Sequence, residues 1–179
     1  THAGYRPEYQ PGSLGVFPLF EQVALKVHLW AMGASSDAWV SQGEELYRKR
    51  IERYLPFEYK CIQASKSNQQ NLVLADESKW LLQQCDATPT KLILLDEKGP
   101  QLSSVHFSKR FENWRQGSHK RLVFVIGSAY GFDPKVYDRA DELLGLSAMT
   151  LPHQLCRLMM LEQLYRACTI LRGESYHHT

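Results

Sequence analysis

The stretch Arg121-Leu122-Val123-Phe124-Val125-Ile126, broken by Gly127-Ser128-Ala129-Tyr130-Gly131, decides how the chain is read. An apolar run of this length, rich in β-branched residues and cut off by glycine, predicts a strand buried on both faces. A strand of that kind belongs inside a parallel sheet, not at an exposed edge. Downstream, Leu146-Ser147-Ala148-Met149-Thr150-Leu151-Pro152-His153 opens into the apolar segment His153 to Leu171, which predicts a long helix. The chain then closes on Gly173-Glu174-Ser175-Tyr176-His177-His178. A strand, a small-residue loop, a second loop, a buried helix and a polar tail can together hold a nucleotide-like ligand on exposed backbone.

Outward from this stretch, helical and strand-like patterns alternate. Ala24 to Met32 reads as a strand ending at Gly33, and Ala38 to Leu55 as an amphipathic helix with Asp37 at its N-cap and Pro56 as its stop. Phe57 to Ile62 is a second strand and Leu72 to Cys85 a second helix. Lys91 to Leu95 is a third strand, turning over Asp96 to Gly99. Ser104 to Gln116 is a third helix, with Phe107, Phe111 and Trp114 directed into the core. The fold class is therefore α/β, a mainly parallel sheet with helices on both faces. Ligands in such sheets bind beyond the carboxyl ends of the strands, here at Leu95 and Ile126. Residues 1–22, with three prolines and no sustained periodicity, are expected to form an extension or leader outside the core fold, leaving 23–179 as a single domain.

Composition excludes several classes of function. With 44% hydrophobic and 22% charged residues among 179, the chain is that of an ordinary globular domain. A net charge of +2 makes no global field for nucleic acid, so any such site must be a local patch. Arg48, Lys49, Arg50 and Arg53 are one candidate, extended by Lys60, Lys66, Lys109, Arg110 and Arg115. Interleaved Glu44, Glu45 and Glu52 equally suit a solvated helix face of i,i+4 pairs. Cys61, Cys85, Cys156 and Cys168 lack zinc-ligand spacing and read as free thiols. No metal site, transmembrane run or signal peptide is expected, which points to a cytoplasmic location.

Gly127 to Gly131 is neither a dinucleotide fingerprint nor a phosphate-binding P-loop. Spacing alone leaves open whether Gly127 serves a turn needing positive φ or lets a ligand approach the backbone. On the last helix, Cys156, Met160, Leu161, Leu164, Ala167, Cys168 and Leu171 share a broad arc, with Glu162, Arg166 and Thr169 on a separate polar stripe. Arg157 falls inside the apolar arc, so it requires a carboxylate partner within the chain or a wet subunit interface. His153, after Pro152, suits the first turn of this helix, with Thr150 or Leu151 as cap.

Leu146-Ser-Ala-Met-Thr-Leu-Pro-His153, with Arg157, Glu162 to Ala167 and Arg172 to His177, closely resembles the RlmH family, ribosomal RNA large subunit methyltransferases of the SPOUT class. The resemblance extends from Ala24 to His178 and is strongest after Leu122. It implies a C-terminal trefoil knot, an exception to the rule against threaded chains, and a homodimer. It also implies transfer of a methyl group from S-adenosyl-L-methionine to N3 of a pseudouridine in 23S rRNA on the assembled ribosome. The implied cofactor contacts are Leu95, Gly127, Leu146, Ser147, Ala148, Met149, Thr150 and Leu151. The groups expected around the target base are His153, Arg157, Arg166, Tyr176 and His177. Ser128 departs from the Gly-Gly that many relatives carry at the start of the loop. The competing readings are a SPOUT enzyme acting on tRNA and a ribosome-binding factor without catalysis.

Overall fold

The computed structural model describes residues 25–33, 37–63, 65 and 67–176. Its centre is β4 (Arg121–Ile126), whose residues from Leu122 onward are all buried. Side chains alternate across a strand, and this alternation divides the core into two layers. Leu122, Phe124 and Ile126 point into one layer, Val123 and Val125 into the other.

On one side β4 pairs in parallel with β1 (Lys26–Met32), placing Phe124 opposite Leu29. On the other it pairs in parallel with β3 (Thr90–Leu95), placing Phe124 opposite Ile93. Beyond β1 lies β2 (Phe57–Ile62), and beyond β3 lies the three-residue β5 (Glu142–Leu144), both parallel to their neighbours. The order β2-β1-β4-β3-β5 is thus an all-parallel sheet covered on both faces, as the alternating pattern predicts. β5 and the six-residue helix before it are the elements that periodicity did not reveal. Three residues carry too little pattern to separate a strand from a loop.

One layer holds α1 (Ala38–Glu52), α3 (Ser104–Arg115) and α5 (His153–Leu171); α5 packs between the other two. Phe107, Phe111 and Trp114 of α3 meet Phe124 here, so these aromatics are core. The opposite layer holds α2 (Gln70–Asp86) and α4 (Pro134–Arg139), which cover Trp30, Leu92, Leu94, Val123 and Val125. Asp133 caps α4 by accepting from the Lys135 N–H, with Pro134 in the first turn. Asp37 does occupy the N-cap of α1, but its side chain makes no capping bond.

Two expectations about α5 change. Its N-cap is Pro152, not Thr150 or Leu151. Thr169 belongs to the buried face, because its hydroxyl donates to the Arg166 carbonyl one turn back and leaves the methyl for the core. The basic run on α1 is largely a paired helix face: Arg48 bridges Glu45 and Glu52, and Lys49 also reaches Glu45. Glu44 departs from it, buried and accepting from the Tyr59 hydroxyl at 2.8 Å.

His28 on β1 is a strained element of this core. It is 5% exposed, and its Nδ1 lies 3.6 Å from Glu58 Oε1, too far for a well-formed hydrogen bond, while Nε2 has no partner. Burial pushes its pKa down to about 4, with Glu58 opposing and Lys26 and Arg121 adding to the fall. A histidine with a depressed folded-state pKa binds fewer protons than the unfolded chain, so its effect is nil above the ordinary value and destabilising as pH falls from about 6.5 toward about 4. Urea denaturation of wild type and His28→Gln at pH ~7 and pH ~4.5 checks this. The wild type is expected to lose on the order of 2 kcal/mol more than the variant at the lower pH.

Candidate functional site

The carboxyl ends of β3, β4 and β5 open into a cleft of about 410 Å³. That is within the range of small-molecule sites. Three chain segments make its walls: Leu95 to Lys98 after β3, Ile126 to Phe132 after β4, and the stretch from Leu144 through Leu151 after β5. Leu95, Gly127, Leu146, Ser147, Met149, Thr150 and Leu151 all line it. Ala148 lies in the same stretch without lining the cleft. His153 and Cys156, from the first turn of α5, close the far side.

The segments are brought together by backbone contact. The Leu144 carbonyl accepts from the Asp96 N–H at 3.0 Å, and the Gly145 N–H donates to the Pro100 carbonyl at 3.1 Å. At this crossing Gly99 and Gly145 face each other with no room for a side chain. A Cβ on Gly99 would lie 2.5 Å from the Leu144 nitrogen, and one on Gly145 would lie 2.6 Å from the Gly99 oxygen. Composition offered no reason to single out either glycine, since the contact joins residues far apart in the chain.

Within the second wall the open question about Gly127 resolves. Gly131 takes the positive φ, at 76°, and Gly127 does not. Gly127 is required for a different reason: a Cβ there would meet the Gly131 oxygen at 2.9 Å and the Phe132 ring at 3.1 Å. Ser128 has no positive φ, so its side chain is accommodated without backbone strain. Sequence reasoning also missed Tyr137, whose hydroxyl donates to Asp96 at the cleft wall. Burial, reinforced by that bond, pushes its pKa up to about 12.

His153 is half-buried and lowered below the ordinary histidine value, first by desolvation and then by Arg157; interaction with the Gly127 backbone opposes both. It is therefore neutral at physiological pH. Arg157 itself does not line the cleft. It is 2% exposed, and its Nη2 donates to the carbonyls of Met32 at 3.0 Å and Gly33 at 2.9 Å. Both expected kinds of partner are thus replaced by a third: backbone carbonyls at the end of β1, which accept charge-assisted hydrogen bonds without a second buried ion.

Arg166 and Tyr176 form a separate cluster at the other end of α5. Thirteen residues of helix put Arg166 about 20 Å from His153. The Arg166 Nε donates to Glu162 Oε1 at 3.0 Å, the Tyr176 hydroxyl donates to the same oxygen at 3.1 Å, and the guanidinium lies 4.8 Å over the Tyr176 ring. Tyr165 packs edge-on against Tyr176, and Arg50 of α1 lies over Tyr165 and Tyr47. Desolvation, with the Tyr47 and Glu162 contacts, drives the Tyr176 phenol well above its ordinary pKa. His177 lies outside the described residues. The residues expected around one target base therefore fall into two groups within one chain.

Comparison with known proteins follows this geometry. The family model described as "Predicted SPOUT methyltransferase" matches residues 25–177. The chain is 43% identical over 155 residues to the ribosomal RNA large subunit methyltransferase H of Cytophaga hutchinsonii, covering 86% of this chain and all of the relative. It is 42% identical over 154 residues to the protein of the same name from Trichlorobacter lovleyi, again 86% of this chain and all of the relative. Among solved structures it resembles a probable methyltransferase from Bordetella pertussis, with a TM-score of 0.52 at 13% identity over 82% of this chain and 96% of that one. A probable methylase family protein from Haemophilus influenzae gives a TM-score of 0.51 at 7% identity, over 86% of this chain and 70% of that one. At those identities the likeness is one of fold.

Replacing Gly145 by alanine is expected to push the β5 end away from the Gly99 turn. The substitution should lower stability by ~1–3 kcal/mol, the usual cost of overpacking a tight contact. Denaturant titration measures it, and an unchanged midpoint would mean that the crossing is looser than the contacts indicate.

Proposed function

Since the chain belongs to the SPOUT methyltransferases, in the family of ribosomal RNA large subunit methyltransferase H, we propose that it methylates N3 of a pseudouridine in 23S rRNA of the assembled ribosome, with S-adenosyl-L-methionine as donor. The observation that carries this reading is the cleft where three strand ends meet, walled by Leu95, Gly127 and the segment Leu146 to Leu151. Its character fits an adenosyl amino acid. Leu95, Ile126, Leu146 and Leu151 supply apolar surface for a planar base, while main-chain polar groups and the Ser147 hydroxyl supply hydrogen bonds. The same reading takes residues 23–179 as the catalytic domain, consistent with a family match that starts at residue 25. It also takes the segment after β5 to be knotted through the turn it crosses at Gly99.

When bound, the cofactor supplies a methyl group on a sulfonium that already carries its leaving group. The chain's own residues must then orient the target nitrogen and deal with its proton. His153, neutral and at the cleft edge, is able to accept a proton or a hydrogen bond there. Arg157 contributes indirectly, through the position of the α5 N-terminus and through its effect on His153. Arg166, Tyr176 and His177 are assigned to the base-binding group, but Arg166 and Tyr176 cannot reach His153 within one chain.

A homodimer reconciles the two groups, with the tail of one subunit completing the cleft of the other. Trp39 and Leu46 support it: one helical repeat apart on α1, they are 58% and 47% exposed, with Met159 of α5 also partly exposed. Two large apolar side chains two turns apart on one exposed helix face offer a surface that a second subunit can cover.

Titration calorimetry with S-adenosyl-L-methionine, and methylation of ribosomes lacking the modification beside free rRNA and tRNA, tests the proposal. Methylation confined to ribosomes is expected. Cofactor-dependent methylation of tRNA would favour the other SPOUT reading, and ribosome association without cofactor binding would leave a non-catalytic factor. The shared site has its own check. Gly127→Val and Tyr176→Ala are each expected to lose at least ~10-fold in methylation. Mixed after subunit exchange, they should recover roughly a quarter of wild-type activity, because half the dimers then hold one intact site in two. No recovery would place the tail in its own subunit's cleft.

A further inference from the structure

Behind the Gly127 to Gly131 wall, on the side away from the cleft, lies a carboxyl group that the proposed reaction does not use. Glu77 of α2 is 9% exposed, and its Oε1 has no hydrogen-bond partner. It lines a small cavity of about 10 Å³ together with Met32, Gly131, Phe132 and Asp133. The Ser128 hydroxyl is buried on the same side of the loop, also without a partner of proper geometry. Ser128 in turn lines the cleft. The order in space is therefore cleft, Ser128, Glu77.

A buried acid against a five-residue loop is a costly choice for a position that leucine could fill. Below the loop, α2 presents Leu74, Glu77, Ser78 and Leu81 and β1 presents Met32, so Glu77 is the ionisable group that these two elements aim at it. We propose that Glu77 is a positioning residue for the donor site, bracing the Gly127 to Gly131 loop from behind through Ser128. This rests on the cofactor reading above, and it deepens that reading by naming a residue outside the cleft that sets the shape of its wall.

The acid must be uncharged to act this way. Burial raises Glu77 above the ordinary carboxyl range, Asp76 beside it on α2 adds to the rise, and the nearby Ser128 hydroxyl opposes. Asp133 also lines the small cavity, and its carboxylate accepts from the Lys135 N–H at the start of α4. Ionisation would require water behind the loop and would part Glu77 from Gly131 and Phe132. For a carboxyl with a raised folded-state pKa, the stabilising contribution is complete at low pH and is lost as pH rises through that pKa. Donor affinity and thermal stability should both follow this course.

The test is calorimetric measurement of the Kd for S-adenosyl-L-methionine from pH ~4.5, near the ordinary carboxyl value, up to pH ~9, with melting temperatures at each pH, for wild type, Glu77→Gln and Glu77→Leu. Wild type is expected to weaken by about fivefold or more across the range, a change equivalent to about 1 kcal/mol. Glu77→Gln, which keeps shape and hydrogen bonding but cannot ionise, should bind within a few-fold of the low-pH wild type at every pH. Glu77→Leu should bind weakly and without pH dependence, by about tenfold. A wild-type affinity that is flat with pH overturns the assignment, as does a Glu77→Gln profile that falls in parallel with wild type. If wild type takes up no S-adenosyl-L-methionine at any pH, the cofactor reading itself is overturned.

Discussion

Where the turn after β3 meets the end of β5, two backbones pass each other with nothing between them but the hydrogens of Gly99 and Gly145. The Leu144 and Pro100 carbonyls accept hydrogen bonds across this crossing, so it is polar and directional as well as close. β5 is only three residues long and could not hold its place by strand pairing alone. Its attachment to the Asp96 to Gln101 turn anchors the segment Leu146 to Leu151 over the strand ends. Without it the cleft would have two walls instead of three.

A second constraint acts at the other side of the cleft. α5 carries His153 at its start and the Glu162–Arg166–Tyr176 cluster toward its end, and Arg157 ties its first turns to β1. Because Nη2 of the guanidinium donates to two main-chain carbonyls, the helix is located relative to the sheet backbone itself. Arg157 also places a buried positive charge one turn from the imidazole, which adds to desolvation in lowering the imidazole's pKa. The helix is long enough to hold His153 and Arg166, both expected around one target base, about 20 Å apart in a single chain. Geometry thus converts a list of expected base contacts into an argument for a shared site.

The layers of the fold have unequal tasks. The face holding α1, α3 and α5 contains the aromatic cluster around Phe124, and it is the face from which the dimer argument comes. The face holding α2 and α4 is smaller and supports the loop after β4 from behind. Polar burial follows this division: Glu44 is satisfied by Tyr59 on the first face, whereas Glu77 on the second lacks a partner for Oε1. An acid left in that state sits next to the loop whose shape matters most for a ligand.

Strong local pattern was enough for much of this. The run Leu122 to Ile126, the aromatic spacing of α3 and the arc of α5 follow from side-chain period, which is a property of adjacent residues. The strand-end positions of Leu95 and Gly127, and the loop Leu146 to Leu151, follow from where those periods stop. Family resemblance supplied the expected chemistry on residues 24–178, and the comparisons bear out the family, SPOUT methyltransferases that act on ribosomal RNA. The tertiary structure alone decided three things: that Gly99 meets Gly145, that Arg157 caps β1 instead of facing a ligand or a carboxylate, and that His153 and Arg166 stand at opposite ends of one helix. Each is a contact or separation between residues distant in the chain, or a choice of partner among several of equal local merit. Periodicity determines which face a residue occupies; what it meets on that face depends on how the other elements are stacked against it.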